Sequence, residues 1–414
     1  MNISKTPGAA SGAELLAAEA DRAREHGADV QYSSTAGVID LTWGHPDPSA
    51  LASGVVAEAT ASVLAAEGWK ALTYGAPAGA MVVREAVAEH DSAVDHPIDA
   101  DEVLITAGSS GGLDLILSLR TVPGDVVFVE QPTYFLALRI FRDHGLRVDG
   151  LANDADGPDP EDFARRAREH RADGRTCLLY LVTTFANPTG RCLDRARAEQ
   201  LLQVAASHGV TVIDDDVYRD TVPSAPPSLH AIDRSVLRLG SFSKSISPGL
   251  RVGYLVAPRE VVAEIGGCGV LDSGGGSNHF AAMVTAEIIR SGRFDDLLRQ
   301  GHSRYATRRQ ALADALRGGP FTFDEPRGGF FVWLRLNEGI DSAAAVAAAH
   351  ENGVLVSDGR NFFEGEPPAG YVRLSFSMLD ETLLAEGARR LKDSFMSGFV
   401  GTDVPAKPDM NGLG

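Results

Sequence analysis

One lysine sits where an amine could act as a nucleophile. In SFSKSISPGLRVGY, Ser241 to Tyr254, Lys244 follows an apolar run (VLRLGSF, from Val236) and precedes another (VGYLVAP). Most lysines are solvated surface groups. An amine held between apolar runs is partly desolvated, which lowers its pKa and leaves free base for Schiff-base chemistry. Ser241, Ser243 and Arg251 add hydroxyl donors and a bidentate cation of the kind a phosphate ester requires.

Two more strings carry chemistry. GSSGG, from Gly108, closes the apolar run EVLITA and opens a helical pattern. Backbone N–H groups and the helix dipole at such a turn bind anions, although a Gly-Ser turn by itself is more often a plain loop. VTVIDDDVY ends an apolar run on Asp214, Asp215 and Asp216. Alone, three aspartates read as a surface acid run or a weak metal site. The apolar run before them points instead to the buried end of a sheet.

Taken in order, these strings resemble the class I and II aminotransferases, the fold type I enzymes that use pyridoxal 5′-phosphate. SFSK…PGLR is similar to that family's Schiff-base lysine motif, and the resemblance covers about Asp40 to Phe395. It implies that Lys244 carries the cofactor, and that Ser109, Ser110, Ser241, Ser243 and Arg251 hold its phosphate. It places Tyr134 (in QPTY) on the cofactor face and Asn187 (in FANPTG) with Tyr218 at the phenolic oxygen. Asp215 then pairs with the pyridine nitrogen, keeping the ring protonated as an electron sink. Arg373, in YVRLSFS, matches the clamp for the substrate α-carboxylate, with Gly44 and Asn187 as further substrate contacts. Tyr74, in LTYGAPAGAMVVREAVAEH, matches a residue that reaches the phosphate of the neighbouring subunit, so a homodimer is implied. QPTYF, FANPTG and SKSISPGLRVGY bring the chain nearest to the subgroup with 2-aminoadipate and kynurenine aminotransferases. The implied reaction moves the amino group of an α-amino acid to a 2-oxo acid.

Three departures keep other outcomes open. Ser110 and Gly111 stand where relatives often carry two glutamines, and Ala186 where a larger polar side chain is common. CGVLDSGGGSNHF, from Cys268, is rich in glycine at a segment that the resemblance brings near the site of the other subunit, which suits either a flexible loop or a pocket widened for a bulky substrate. His45 and His279 are either solvated or pocket contacts. The same cofactor residues would serve a lyase, decarboxylase or oxidative deaminase of specialised metabolism and natural product biosynthesis. A transcription regulator with an aminotransferase-like domain needs a DNA-binding segment ahead of the first motif, and fewer than 50 residues stand there.

The elements that must position these residues alternate. Between about Pro48 and residue 260, the runs EVLITAG, DVVFVEQ, CLLYLVT, VTVIDDD and VLRLGSF alternate with helical patterns such as FARRAREH and LDRARAEQLLQVAASHG, the latter capped by Asp194 and stopped at Gly209. Near-continuous apolar strands between helices predict an α/β fold: a mostly parallel sheet of the seven-stranded type with helices on both faces. One long helical stretch is expected from Phe280 to Leu316. A smaller α+β unit follows, built on GGFFVWLRL, YVRLSFS and LLAEGARRLKDSF. The expected division is an N-terminal arm (1–45) that joins the small domain, a large cofactor domain (46–290), a small domain (291–398) and a disordered tail (399–414). A helix is expected from Ser11, in a capping box with Glu14, to His26.

Composition sets bounds. A chain of 414 residues suits two domains. Its net charge of -18 disfavours nucleic acid and anionic membranes as partners; a small-molecule amino acid as substrate is what the resemblance implies. Cys177, Cys192 and Cys268 have no metal-type spacing, and no metal is expected. The N-terminal MNISKTPGAASGAELL lacks a basic region before an apolar stretch, no run is expected to reach the roughly 18 apolar residues of a membrane span, and the expected location is cytoplasmic.

Overall fold

The computed structural model describes residue 30, residues 35–154 and residues 156–397. The helix expected from Ser11 to His26 and the tail from 399 lie outside the described residues.

Seven strands form the central sheet: β1 (Val103–Thr106), β2 (Val126–Val129), β3 (Arg147–Gly150), β4 (Cys177–Leu181), β5 (Thr211–Asp215), β6 (Leu237–Ser241) and β7 (Gly253–Val256). Their order is β1-β7-β6-β5-β4-β2-β3. β7 runs antiparallel to both neighbours; the remaining pairs are parallel. Both faces are covered, which is why β1, β2, β4 and β7 read as near-continuous apolar runs, whereas the edge strand β3 (RVDG) is exposed to half-buried and does not. On β2, Val127 and Val129 face one core, with Leu113, Leu117 and Phe141. Val126 and Phe128 face the other, with Phe163, Leu201 and Leu202. The helices carrying those side chains are α1 (Gly108–Arg120), α2 (Phe135–Asp143), α3 (Pro160–Ala172) and α4 (Arg195–His208). Asp194 stands at the N-cap of α4 without a side-chain cap bond, and Gly209 ends it at φ 63°.

The stretch from Phe280 to Leu316 is two helices rather than one: α5 (His279–Arg290) and α6 (Arg293–Leu316). They part at Gly292, whose φ of 74° no right-handed helix can hold. The second sheet has four strands, with β8 (Phe321–Thr322), β9 (Phe331–Leu336), β10 (Ser357–Asp358) and β11 (Tyr371–Ser375) in the order β8-β9-β11-β10. The closing helix α7 spans Glu381–Ser397. Ile39 and Asp40 pair in parallel with Val354 and Leu355, and Ser375 N–H donates to the Leu41 carbonyl at 2.8 Å. The segment leading to Gly44 is thereby fastened to the second sheet.

One expectation fails. Within Pro48–Leu72 an 18-residue window reaches a mean hydropathy of 1.4, enough by length and composition alone to match a membrane span. The aliphatic residues of the stretch are three valines, three leucines and eight alanines spread among polar ones, so no single hydrophobic run stands out. Only 11% of that window is buried, and the inner side of the stretch, with Ala59 and Val63, packs in one core with α5.

Candidate active site

Between the carboxyl ends of the central strands and the second sheet lies a cavity of about 540 Å³. Lys244, Ser109, Ser110, Tyr134, Asn187, Asp215, Tyr218, Ser241, Ser243, Arg251, Gly44 and Arg373 all line it, drawn from segments far apart in the chain. Tyr74 does not. It lies outside this cavity and is 79% exposed.

Lys244 follows β6 in a turn where Ser243 N–H donates to Ser241 Oγ at 3.1 Å. The amine donates to the Gly44 carbonyl at 2.8 Å and faces the Phe330 and Tyr218 rings at 5.5 and 5.9 Å. Only glycine fits at position 44, because a Cβ there would strike the Phe331 ring. Desolvation by the surrounding protein holds the lysine down to about 8, with Arg373 and Arg251 acting in the same direction and Asp215 against it. Lys244 therefore offers free amine near neutrality.

Asp215 ends β5 at the cavity floor. Its Oδ2 accepts the Tyr180 hydroxyl at 2.6 Å. Its Oδ1 is buried with no hydrogen-bond partner among the described residues. Burial raises this carboxyl to about 6. Tyr218, buried at the same end, is pushed far up by burial, and Tyr134 up to about 12. Both stay neutral donors at any physiological pH.

Across the cavity, α1 begins at Gly108 with φ 78° and no side-chain cap on its first turn. The N–H groups of that turn are free to bind an anion. A Cβ at Gly108 would collide with the Arg251 guanidinium, whose Nη2 donates to the Ala107 carbonyl at 3.0 Å. Arg251 itself sits at φ 52°, a left-handed conformation that aims it back at this turn. Cation, hydroxyls and helix start together offer the charge and donors that a phosphate requires.

Arg373 enters from β11. Nη1 donates to Asn187 Oδ1 at 2.9 Å, and Nη2 to Ser357 Oγ at 3.0 Å and to the Thr42 carbonyl. Its Nε is buried without a partner among the described residues. Burial lowers the guanidinium to about 10, so it keeps its charge at neutral pH.

These residues fit pyridoxal 5′-phosphate on two independent observations. The orphaned Asp215 Oδ1 suits a protonated ring nitrogen, and the uncapped turn with Arg251 suits the phosphate. Of the departures, Ser110 and His45 reach the cavity; His279 does not, bonding the Lys70 carbonyl instead. His45 is held down to about 4 by burial and by Lys244, so it is neutral. The glycine-rich segment does not line this chain's own cavity. Gly275 and Gly276, at φ 67° and 84°, lie against Tyr74 and Ala76 too closely for a side chain. Residues that the sequence reading missed are Tyr180, Thr42, Ser357 and the rings of Phe331 and Phe362 beside Arg373.

Residues 36–391 match the family described as aminotransferase class I and II. The chain is 32% identical to the 2-aminoadipate transaminase of Thermus thermophilus, covering 86% of this chain and 89% of that one. It is 30% identical to aromatic-amino-acid aminotransferase 1 of Thermococcus litoralis, covering 87% and 88%. A solved α-aminoadipate aminotransferase from Thermus thermophilus, complexed with a phosphopyridoxyl-leucine, superposes at a TM-score of 0.77 with 30% identity, covering 94% and 97%.

Proposed function

We propose, for a chain that belongs to the class I and II aminotransferase family, that Lys244 carries the proton chemistry and Arg373 admits the substrate. The chain is an enzyme of the fold type I architecture that transfers the amino group of amino acids with pyridoxal 5′-phosphate. When bound, that cofactor supplies an aldehyde that links to amines and a ring that draws electrons from the α-carbon.

The roles assigned to the chain's residues are these. The first turn of α1, with Ser109, Ser110, Ser241, Ser243 and Arg251, holds the phosphate. Asp215 Oδ1 faces the ring nitrogen, Tyr134 the ring, and Tyr218 with Asn187 the phenolic oxygen. Arg373, turned by Asn187, Ser357 and Thr42, offers its fork to the substrate carboxylate, with Gly44 alongside. Lys244 Nζ takes the α-proton and gives it back, a task suited to a pKa near 8.

The observation that carries the reading is the convergence of Lys244, Asp215 and Arg373 on one cavity. The test is a screen of amino donors against 2-oxo acid acceptors with mass spectrometry of the products. An amino acid whose nitrogen appears on the acceptor supports the reading. Nitrogen lost with a leaving group, or carbon dioxide released, contradicts it.

The working unit in this proposal is a homodimer in the cytoplasm. Trp69, Leu72 and Tyr74 are 73%, 67% and 79% exposed, and Val270 is exposed near the glycine-rich segment packed on Tyr74. Large apolar side chains exposed together favour burial against another surface.

A further inference from the structure

Asp215 has two carboxylate oxygens in different situations. Oδ2 accepts the Tyr180 hydroxyl at 2.6 Å, whereas Oδ1 is buried and unpartnered among the described residues. Tyr180 is fully buried on β4, the parallel neighbour of β5, and its ring meets Phe141 edge-on at 5.2 Å. Burial and the Asp215 charge keep its hydroxyl protonated, so towards the carboxylate it can only donate.

We propose that Tyr180 is a positioning residue for the reaction: by holding Oδ2 it presents Oδ1 to the cofactor's ring nitrogen and limits the basicity of the carboxylate there. The inference rests on the assignment of Asp215 to that nitrogen. A donor on one oxygen favours the anion. The other groups facing Asp215 are Lys244, which lowers its pKa, Asp216, which raises it, and the neutral Tyr134 and Tyr218. Without the Tyr180 hydroxyl the carboxylate becomes the stronger base. A proton shared with the ring nitrogen then moves towards Oδ1, and the ring draws electrons less strongly.

Tyr180→Phe removes one oxygen and keeps the ring against Phe141, with folding checked by circular dichroism. With ¹⁵N-labelled cofactor bound, the ring-nitrogen resonance should move towards that of neutral pyridine. In the apoenzyme, the acid limb of pyridoxal phosphate affinity should move up by roughly one pH unit. kcat should fall about tenfold with KM little changed. Combined with Asp215→Asn, Tyr180→Phe should add no further loss of cofactor affinity. A folded variant with resonance and acid limb unmoved overturns the inference, as does an equal added loss in the Asp215→Asn background. If Asp215→Asn by itself leaves the ring-nitrogen resonance unchanged, the assignment of Asp215 fails, and this inference with it. Should Tyr180→Phe not fold, 2,3-difluorotyrosine placed at position 180 keeps the shape and donates more strongly. It should move the acid limb down; an unmoved limb overturns the proposal.

Discussion

Arg373 Nη1 donates to Asn187 Oδ1 at 2.9 Å while its guanidinium lies 4.3 Å from the centre of the Phe331 ring. This bond links the second sheet to the loop after β4 across the cavity. The Phe362 ring, at 4.9 Å, also faces the guanidinium, so its plane is fixed before any substrate arrives. A preset plane is what recognition of a carboxylate by two parallel hydrogen bonds demands.

Arg373→Lys should therefore raise KM for α-amino acids and lower kcat. A loss on the order of 2–4 kcal/mol in transition-state binding is expected for a desolvated charge pair. Steady-state kinetics on the best amino acid and on its decarboxylated amine would check this. If wild type turns over the amine as well as the amino acid, the clamp is not in use.

Asp215→Asn keeps the shape and the Tyr180 contact but removes the charge. Turnover should drop roughly 10²–10³-fold, the size expected when one preorganised electrostatic partner is lost. Cofactor should still bind through the turn at Gly108 and Arg251. Near-normal turnover by the variant contradicts the role given to Asp215.

Lys244, held near 8, is mostly protonated at pH 6 and mostly free amine at pH 9. Only the free amine attacks an aldehyde. Capture of pyridoxal phosphate by apoenzyme, followed by stopped-flow absorbance, should thus speed up with pH to about 8 and then level off. A rate still climbing steeply towards pH 10 would mean an unperturbed lysine.

The proposed homodimer would cover the exposed Trp69, Leu72 and Tyr74. Light scattering at micromolar protein should give twice the 43.7 kDa chain mass. An active monomer would dispose of the dimer.

Much of this architecture was legible because chemistry and hydropathy coincide along the chain. Strands buried on both faces read as unbroken apolar runs, and Lys244 and Asp215 each stand just beyond one. Tyr180 was not legible for the same reason: inside CLLYL it reads as one more core side chain, and only the neighbouring strand reveals what its hydroxyl meets. Thr42 touches Arg373 through a backbone carbonyl, which leaves no mark on residue type. The break at Gly292 was hidden because one glycine in a helical pattern is usually tolerated, and its φ of 74° is a tertiary outcome. The close packing of the glycines at 275 and 276 against Tyr74 and Ala76 was not legible either, because it joins segments about 200 positions apart.

The central claim is that Lys244 is the residue to which the cofactor is joined. Reducing the yellow holoenzyme with borohydride, digesting it and sequencing the labelled peptide by mass spectrometry tests this directly. The account predicts a single phosphopyridoxyl group on Lys244, within SFSKSISPGLR, and a colourless, inactive Lys244→Ala variant. A label on any other lysine, or a Lys244→Ala protein that still turns over amino acids at the wild-type rate, would contradict it.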